Sequence, residues 1–336
     1  MLRHIQTLVL AAALGLATPS FAQDTEATEA ATPEQGSSSP AETVEDRFAL
    51  DPAVAFEAFA AGNYPRAFDL AITFANRGHA PSMRLMGQMY ATGLGVDADA
   101  AEAAEWYRVA AEAGDAEAAF LLATMIMDGA IVERDEAAAA ELLQSAHDAG
   151  FAPALQMLAM MTLEGRGVER DLIGGAEMMR EAAVAGDTTA QYTLGILYAE
   201  GAGVRQDTEE SYRWFERAAR RGNVEAQIEF GLGLLTGAAG EADLSEERRI
   251  EDGIFWLRRA AESGNPLAHN RLAHAYTQGY GVPLDPVMAA YHHSSAVAGG
   301  LPDARLDAFV STLSDEQRRA AQDRVALDTL PPNPFN

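Results

Sequence analysis

The chain has 336 residues, a formal net charge of −26 and no cysteine, and all of its strongly basic residues are arginines because lysine is absent. A phosphate-binding GxxxxGK(S/T) loop and a Schiff-base site both need a lysine, and disulfides and thiolate metal sites need cysteine, so these classes of site are excluded. The negative charge argues against nucleic acid and anionic lipid, which are bound mainly through cations that neutralise phosphates. A basic or neutral partner fits the charge better.

Residues 1–22 have the three parts of a secretory signal peptide. Arg3 and His4 precede an apolar run at 8–17, and small residues lead to a predicted cleavage after Ala22. The apolar run is about half of the roughly 20 residues that a membrane-spanning helix requires. We therefore expect an exported mature chain without a membrane span, located in the periplasm if the source is a Gram-negative bacterium.

The next two segments differ sharply in composition. Residues 23–50 are rich in Glu, Thr, Ala, Ser and Pro and have almost nothing apolar to bury, which predicts a disordered acidic linker. Residues 51–79 change to apolar residues at helical spacing, with Gly62 between two short helices. This segment is predicted to be an N-terminal capping helical hairpin.

From residue 80 to residue 301 one pattern returns six times, usually after 36 residues. The copies begin at Ala80, Ala116, Ala152, Thr188, Val224 and Pro266. Each has a turn glycine (Gly93, Gly129, Gly165, Gly201, Gly237, Gly279) and a closing glycine (Gly114, Gly150, Gly186, Gly222, Gly264, Gly300). Glycine accepts the left-handed conformation that ends a helix, so each copy is predicted to be a helical hairpin. Such a hairpin cannot bury its apolar side alone, which predicts an all-α solenoid of stacked hairpins.

Two further features recur within the copies. An aspartate precedes the second helix (Asp99, Asp135, Asp171, Asp207, Asp285) and is expected to cap it. A small residue stands midway along the first helix (Gly87, Ala123, Ala159, Gly195, Gly231, Ala273) and is expected to let bulky residues of the second helix pack closely.

The pattern changes in the fifth copy and after the sixth. The fifth copy is longer by six residues, inserted after Gly237, and insertions of this kind are expected in a loop. Residues 302–327 are predicted to form C-terminal capping helices, and 328–336 a flexible tail.

The fourth copy contains the pattern nearly whole, as Ala190, Gln191, Leu194, Gly195, Leu197, Tyr198, Gly201, Gly203, Val204, Asp207, Trp214, Ala218, Ala219 and Gly222. This pattern resembles the Sel-one-like repeat, a relative of the tetratricopeptide fold, and the resemblance covers about residues 80–301. It implies a right-handed α/α superhelical solenoid that serves as an adaptor, often in exported bacterial proteins that regulate signalling or envelope processes. Some relatives carry a disulfide in every repeat, a branch to which this cysteine-free chain does not belong.

Several patterns could suggest a cofactor or a metal. The GxG of four copies lacks the third glycine and the preceding strand of a dinucleotide site, so a helix-to-helix turn is the preferred interpretation. Methionines at helical spacing, such as Met83, Met86 and Met89, could bind cuprous copper, but they indicate flexible core packing instead. Acidic pairs such as Glu209 and Glu210 stand beside arginines and indicate a solvated face.

The histidines do not have the spacing of a metal or catalytic site. His269 and His274 are five residues apart, and His292 and His293 are adjacent. Neither spacing places two imidazoles on one helix face, so ordinary surface or partly buried histidines are expected. No catalytic motif is found, and we expect neither an enzyme nor a bound cofactor or metal.

A candidate binding surface comes from the first-helix positions that differ between copies. They recur at spacings of three and four and form what we call the first-helix stripe: Leu85, Gln88, Thr92, Leu121, Thr124, Asp128, Met157, Met160, Glu164, Thr193, Ile196, Glu200, Glu229, Leu232, Thr236, Arg271, His274 and Gln278. First helices line the concave face in tetratricopeptide-like solenoids, so this stripe is the hypothetical partner surface. The alternative is that its members are only unconstrained exposed positions.

Two functions remain open. The first is an exported, non-enzymatic scaffold that binds a protein or peptide partner of the cell envelope through its concave helical surface and regulates signalling or envelope processes. The second is a binder or processor of a small envelope ligand, such as a peptidoglycan fragment. A partner surface predicts a broad open face, whereas a small-ligand site predicts an enclosed pocket with converging polar groups.

Overall fold

The computed structural model describes residues 51–239 and 244–328. The predicted signal peptide, the linker, part of the fifth-copy insertion and nearly all of the predicted tail lie outside these ranges. In the described residues the chain forms sixteen helices and no strand: α1 Ala53–Ala60, α2 Tyr64–Ala75, α3 Ala80–Thr92, α4 Ala100–Glu112, α5 Ala116–Asp128, α6 Glu136–Asp148, α7 Ala152–Glu164, α8 Leu172–Ala185, α9 Thr188–Glu200, α10 Thr208–Arg220, α11 Val224–Thr236, α12 Glu246–Glu262, α13 Pro266–Gln278, α14 Pro286–Ala298, α15 Ala304–Ser311 and α16 Asp315–Asp328.

The helices form stacked hairpins. From α3 to α14 each helix packs against the one before it and the one after it in the chain. The first helices of the six copies, which are α3, α5, α7, α9, α11 and α13, begin at the six predicted residues. The structure therefore confirms the predicted all-α solenoid.

Polar residues define the helix ends. The five predicted aspartates cap α4, α6, α8, α10 and α14, each accepting a bond from a first-turn amide at 2.9 or 3.0 Å. A carboxylate at this place satisfies amides that have no partner within the helix and faces the positive end of its dipole. The six turn glycines are left-handed, with φ between 69° and 77°, as predicted.

Small residues allow the close packing within each hairpin. A Cβ added to Gly195 of α9 would lie 2.6 Å from the ring carbon Cδ1 of Phe215 in α10. A Cβ on Gly87 of α3 would meet Tyr107 of α4 in the same way. The large side chain of the second helix therefore occupies the space left by a missing one on the first helix.

A second turn glycine brings successive copies together. Gly203 follows α9 with φ of 72°, and a Cβ there would lie 2.6 Å from the carbonyl carbon of Leu172 in the preceding copy and overlap its oxygen. Gly167 approaches the carbonyl of Glu136 similarly. Ile131 replaces this glycine in the second copy, and its side chain is 53% exposed.

The fifth-copy insertion differs from the expectation. It was predicted to lie in a loop, but α12 has 17 residues where α10 and α14 have 13. Ser245 caps this longer helix by accepting a bond from the amide of Arg248. Part of the insertion therefore adds about one turn to the second helix, because Glu246 to Arg249 continue its helical pattern after a serine cap.

Shorter hairpins flank the six copies. α1 and α2 precede α3, and α16 packs on α14 after the six copies end. A buried cluster there includes Tyr291 of α14, Leu313 just before α16 and Ala321 of α16. Ser314 and Gln317 exchange bonds in a capping box at the start of α16. No helix in residues 51–239 and 244–328 is long and apolar enough to cross a bilayer.

Candidate interaction surface

The structure divides the first-helix stripe into accessible and buried members. Leu85, Met157 and Thr193 are between 1% and 9% exposed, so the expectation that they are free to meet a partner is wrong. Each lies next to a position that packs on the neighbouring helix, and the apolar side chains of Leu85 and Met157 are buried in the stack together with the small side chain of Thr193. The following members are half-buried or exposed: Gln88, Thr92, Leu121, Thr124, Asp128, Met160, Glu164, Ile196, Glu200, Glu229, Leu232, Thr236, Arg271, His274 and Gln278.

The accessible part of the stripe carries acidic residues, of which one is neutralised. Glu164 pairs with Arg166 at 3.4 Å, and Arg166 also reaches Glu136 of the preceding copy at 3.0 Å. Arg134 holds the pKa of Glu136 below its usual range, and Arg166 adds a smaller effect in the same direction. This network ties the third copy to the second, so Glu164 serves the stack as well as the surface.

Three carboxylates of the stripe remain unpaired. Asp128, Glu200 and Glu229 are exposed, and none of them forms an ion pair within the described part of the chain. Arg271 is an exposed cation of the sixth copy without an ion pair among those residues. The stripe is therefore acidic over the second to fifth copies and changes sign at the sixth.

The end of the stripe is held by the C-terminal helices. The ring nitrogen Nε2 of His274 lies 2.8 Å from Oδ2 of Asp303, and Asn270 donates to the same oxygen at 3.1 Å. Asp303 also caps α15. The bonds from His274 and then Asn270 hold the pKa of Asp303 well below its usual range. His274 thus positions α15 as well as lying on the stripe.

The histidines of the sixth copy are more buried than predicted. His269, His292 and His293 are between 4% and 6% exposed, and Nδ1 of His269 lies 2.9 Å from Nδ1 of His292. The prediction considered only histidines on one helix, whereas this pair joins α13 to α14. Burial first, then His269 and two arginines, lowers the pKa of His292 to about 3, so the ring is neutral at ordinary pH.

A metal ion would need at least three histidine or carboxylate residues close together. No such group is present in residues 51–239 and 244–328. An open depression of about 740 Å³ lies beside the turn of the second copy. It is lined by Ile126, Val132, Glu133, Arg134, Asp135, Glu136 and Gly167. Its wide opening differs from the enclosed pocket that a small-ligand site would predict.

Comparison with known proteins gives a family. The Sel1 repeat model matches residues 80–115, 116–151, 152–187, 188–223, 225–265 and 266–301. A search of curated proteins finds no match. Among solved structures, a protective antigen of uropathogenic Escherichia coli that displays an SLR fold is 29% identical, with a TM-score of 0.69. A Sel1 repeat protein from Oxalobacter formigenes is 25% identical, with a TM-score of 0.63.

The coverage of these relatives differs. The alignment with the E. coli antigen covers 84% of this chain and 62% of the antigen, so this chain spans less than two thirds of that protein. The alignment with the O. formigenes protein covers 73% of this chain and 96% of the other. Sel1 repeat proteins generally act as scaffolds for protein interactions and are typically not enzymes. Since the six matched ranges cover more than half of its length, the chain belongs to the Sel1 repeat family.

Proposed function

We propose that this protein is an exported scaffold whose first-helix stripe binds a protein or peptide partner of the cell envelope, with a regulatory role in signalling or envelope processes. The stripe carries the proposal because it is the surface where the stacked copies differ. Positions that hold the stack repeat from copy to copy, whereas one position of the stripe differs in all six copies: Gln88, Thr124, Met160, Ile196, Leu232 and His274. A surface of that kind suits one extended partner better than many identical ones.

Charge indicates what the partner is like. The carboxylates of Asp128, Glu200 and Glu229 face water without an arginine partner in the described chain. The whole chain carries a net charge of −26. A partner with basic side chains is attracted to such a surface and is steered to it in solution.

Site-specific photo-cross-linking tests the proposal. The chain has no lysine, so amine-reactive reagents would miss the surface, and a photoreactive amino acid is placed instead at Thr236 or Gln278 of the stripe. Matched control positions are Glu141 and Glu177, which are exposed on second helices. In the exported fraction of the source organism, we expect one partner to be captured from the stripe positions. Capture from the second-helix positions alone would assign binding to the other face.

Export and capping are proposed together with this function. Cleavage after Ala22 predicts a mature protein that starts at Gln23, which mass spectrometry of the secreted or periplasmic fraction will detect; a retained leader contradicts it.

The flanking hairpins, α1–α2 and α15–α16, are proposed to cap the stack. Removal of residues 302–336 exposes Tyr291 and is expected to cause self-association in light scattering, and a monodisperse product contradicts the capping role.

A small envelope ligand is the second candidate. The depression beside Arg134 and Gly167 is the feature that favours it, because carboxylates and an arginine converge there. Calorimetry with soluble peptidoglycan fragments tests it. Saturable binding that Arg134→Gln abolishes supports this function, and the absence of saturable binding at two temperatures contradicts it.

A further inference from the structure

The junction between the fourth and fifth copies departs from the other junctions at three aligned positions. Tyr212 of α10 stands where the other copies have Ala104, Ala140, Ala176, Ile254 and Ala290. Gly233 of α11 replaces Met89, Met125, Met161, Leu197 and Ala275. Glu229 of α11 replaces Leu85, Leu121, Met157, Thr193 and Arg271.

The first two departures form an exchange of size. A Cβ on Gly233 would lie 2.6 Å from Cζ of Tyr212, so the tyrosine ring occupies the space that a longer side chain fills elsewhere. The ring consequently rests on the backbone of α11. Close contact of this kind restricts the ring and presents it in one orientation.

Tyr212 belongs to an aromatic wall. The rings of Tyr192 and Tyr212 lie 5.6 and 5.9 Å from the ring of Phe215, between centroids. Ile196 of the stripe packs on the same cluster, which includes buried Phe230. The two tyrosines are half-buried, so part of each side chain remains accessible.

Glu229 adds an uncompensated charge beside this wall. Its side chain is exposed, yet protein around it raises its pKa by desolvation. Desolvation is the main cause that raises the pKa of Tyr192, to about 12, and of Tyr212. The charge of Glu229 is the second cause for both. Glu229 lies four residues before Gly233 in α11, on the same face of the helix, and the ring of Tyr212 packs on Gly233. The carboxylate and this ring are therefore on one side of the junction. No hydrogen bond or ion pair to the two hydroxyls or to this carboxylate is formed within residues 51–239 and 244–328.

The missing group has a definite chemistry. The faces of tyrosine rings attract cations, and a carboxylate forms its strongest hydrogen bonds with an ionised donor. A guanidinium satisfies both at once, because it is planar, stacks on aromatic rings and pairs with a carboxylate. The net charge of −26 favours the approach of such a group.

We propose that Tyr192, Tyr212 and Glu229 form a cradle that receives an arginine side chain of the partner. The cradle rests on the proposed function, since it lies beside the first-helix stripe and gives the partner one fixed point along it. Tyr212 supplies an aromatic face, Tyr192 a second one, and Glu229 the counter-charge. The other junctions, with alanine or isoleucine in place of Tyr212, offer no equivalent.

A small-molecule titration tests the cradle without knowledge of the partner. The probe is N-acetylarginine N-methylamide, and the matched neutral probe is N-acetylcitrulline N-methylamide, which has nearly the same shape. Binding is followed by ¹⁹F NMR of protein labelled with 3-fluorotyrosine, with the Tyr212 signal assigned from Tyr212→Phe. We expect saturable shifts at the Tyr192 and Tyr212 signals with the arginine probe in the millimolar range, and none with the citrulline probe.

Variants separate the cradle from general attraction to an acidic surface. Glu229→Gln is expected to weaken the arginine probe about tenfold, a loss of about 1.4 kcal/mol. Glu177→Gln removes an exposed carboxylate of α8 that lies outside the stripe and forms no ion pair among the described residues, and it is expected to leave binding unchanged. Tyr212→Phe keeps the ring face and retains binding, judged from the Tyr192 signal. Equal shifts with both probes, or equal effects of the two glutamine variants, would overturn the cradle.

The cradle and the scaffold function can fail separately. If the stripe captures a partner but Glu229→Gln leaves its affinity unchanged, the cradle is wrong and the scaffold function stands. If cross-links arise only from the second helices, the scaffold surface is wrong, and the probe titration still decides whether the cradle binds a guanidinium.

Discussion

The contact that Gly203 makes with the preceding copy can be measured by comparison with another glycine of the same repeat. Gly203 and Gly222 are both left-handed, with φ of 72° and 92°. A Cβ on Gly203 would overlap the carbonyl oxygen of Leu172, whereas a Cβ on Gly222 would meet nothing within 4 Å. The two alanine variants therefore share the backbone cost and differ in the contact.

The expected magnitudes follow from that difference. The left-handed conformation costs an alanine about 1 kcal/mol, which is the whole effect expected for Gly222→Ala. Overlap with a packed backbone adds about 2 kcal/mol to Gly203→Ala, because the turn has to move away from α8. At about 3 °C per kcal/mol for a chain of this size, the midpoints should fall by about 3 °C and 9 °C.

Thermal unfolding followed by circular dichroism measures both midpoints, and amide hydrogen exchange locates the damage. Extra exchange in Gly203→Ala should be concentrated in α8 and α9, on either side of the strained junction. Equal midpoints for the two variants would refute the reasoning, since the turn would then have no part in joining the copies.

Three further predictions concern charge. Partial desolvation by the surrounding protein raises the pKa of Glu229, so the folded protein holds this proton more tightly than the unfolded chain. The residue's contribution to stability therefore falls as the pH rises through the raised pKa. Glu229→Gln should raise the free energy of unfolding at pH 7 by less than about 1 kcal/mol, because the side chain is exposed, and should have no effect below the ordinary glutamate pKa of 4.5; a lower free energy of unfolding at pH 7 contradicts this. His292, with a pKa lowered from 6.5 to about 3, makes the folded protein bind fewer protons than the unfolded chain in that window, so stability falls as the pH drops through it. Hydrogen exchange at pH 4 should show α13 and α14 opening before the other copies, and uniform protection would disprove it. Asp303→Asn weakens the hydrogen bond with His274 and should reduce the protection of α15 against hydrogen exchange at pH 7. Asp315→Asn removes a carboxylate that is 88% exposed and should leave that protection unchanged. Identical exchange in the two variants would disprove the role of Asp303.

The repeat could be predicted closely from the sequence because backbone conformation fixed the residue type at its turns. A left-handed residue at Gly93 and its five equivalents left a periodic mark, and the aspartate caps marked the start of second helices. Comparison of six copies also separated the stack from the stripe, except at Leu85, Met157 and Thr193. Their burial depends on how far each side chain turns toward its neighbour, which spacing alone does not determine.

The features that escaped prediction join different helices. His269 and His292 are 23 residues apart, and their pairing depends on the approach of α13 to α14. The exchange between Tyr212 and Gly233 is visible in the aligned copies. Tyr212 is larger than its equivalents in the other copies, and Gly233 is smaller than its equivalents. That signal was present in the sequence, but its meaning required the two positions to be known as neighbours.

Packing of each helix mainly on its neighbours in the chain has a consequence for how the protein acquires its structure. Contacts of low sequence separation need little loop closure, so the search for native pairing is short and low contact order favours rapid folding. A hairpin can order as soon as the one before it is in place, and growth then proceeds copy by copy. A polypeptide threaded through a narrow pore could assemble in this way while its C-terminal part was still emerging.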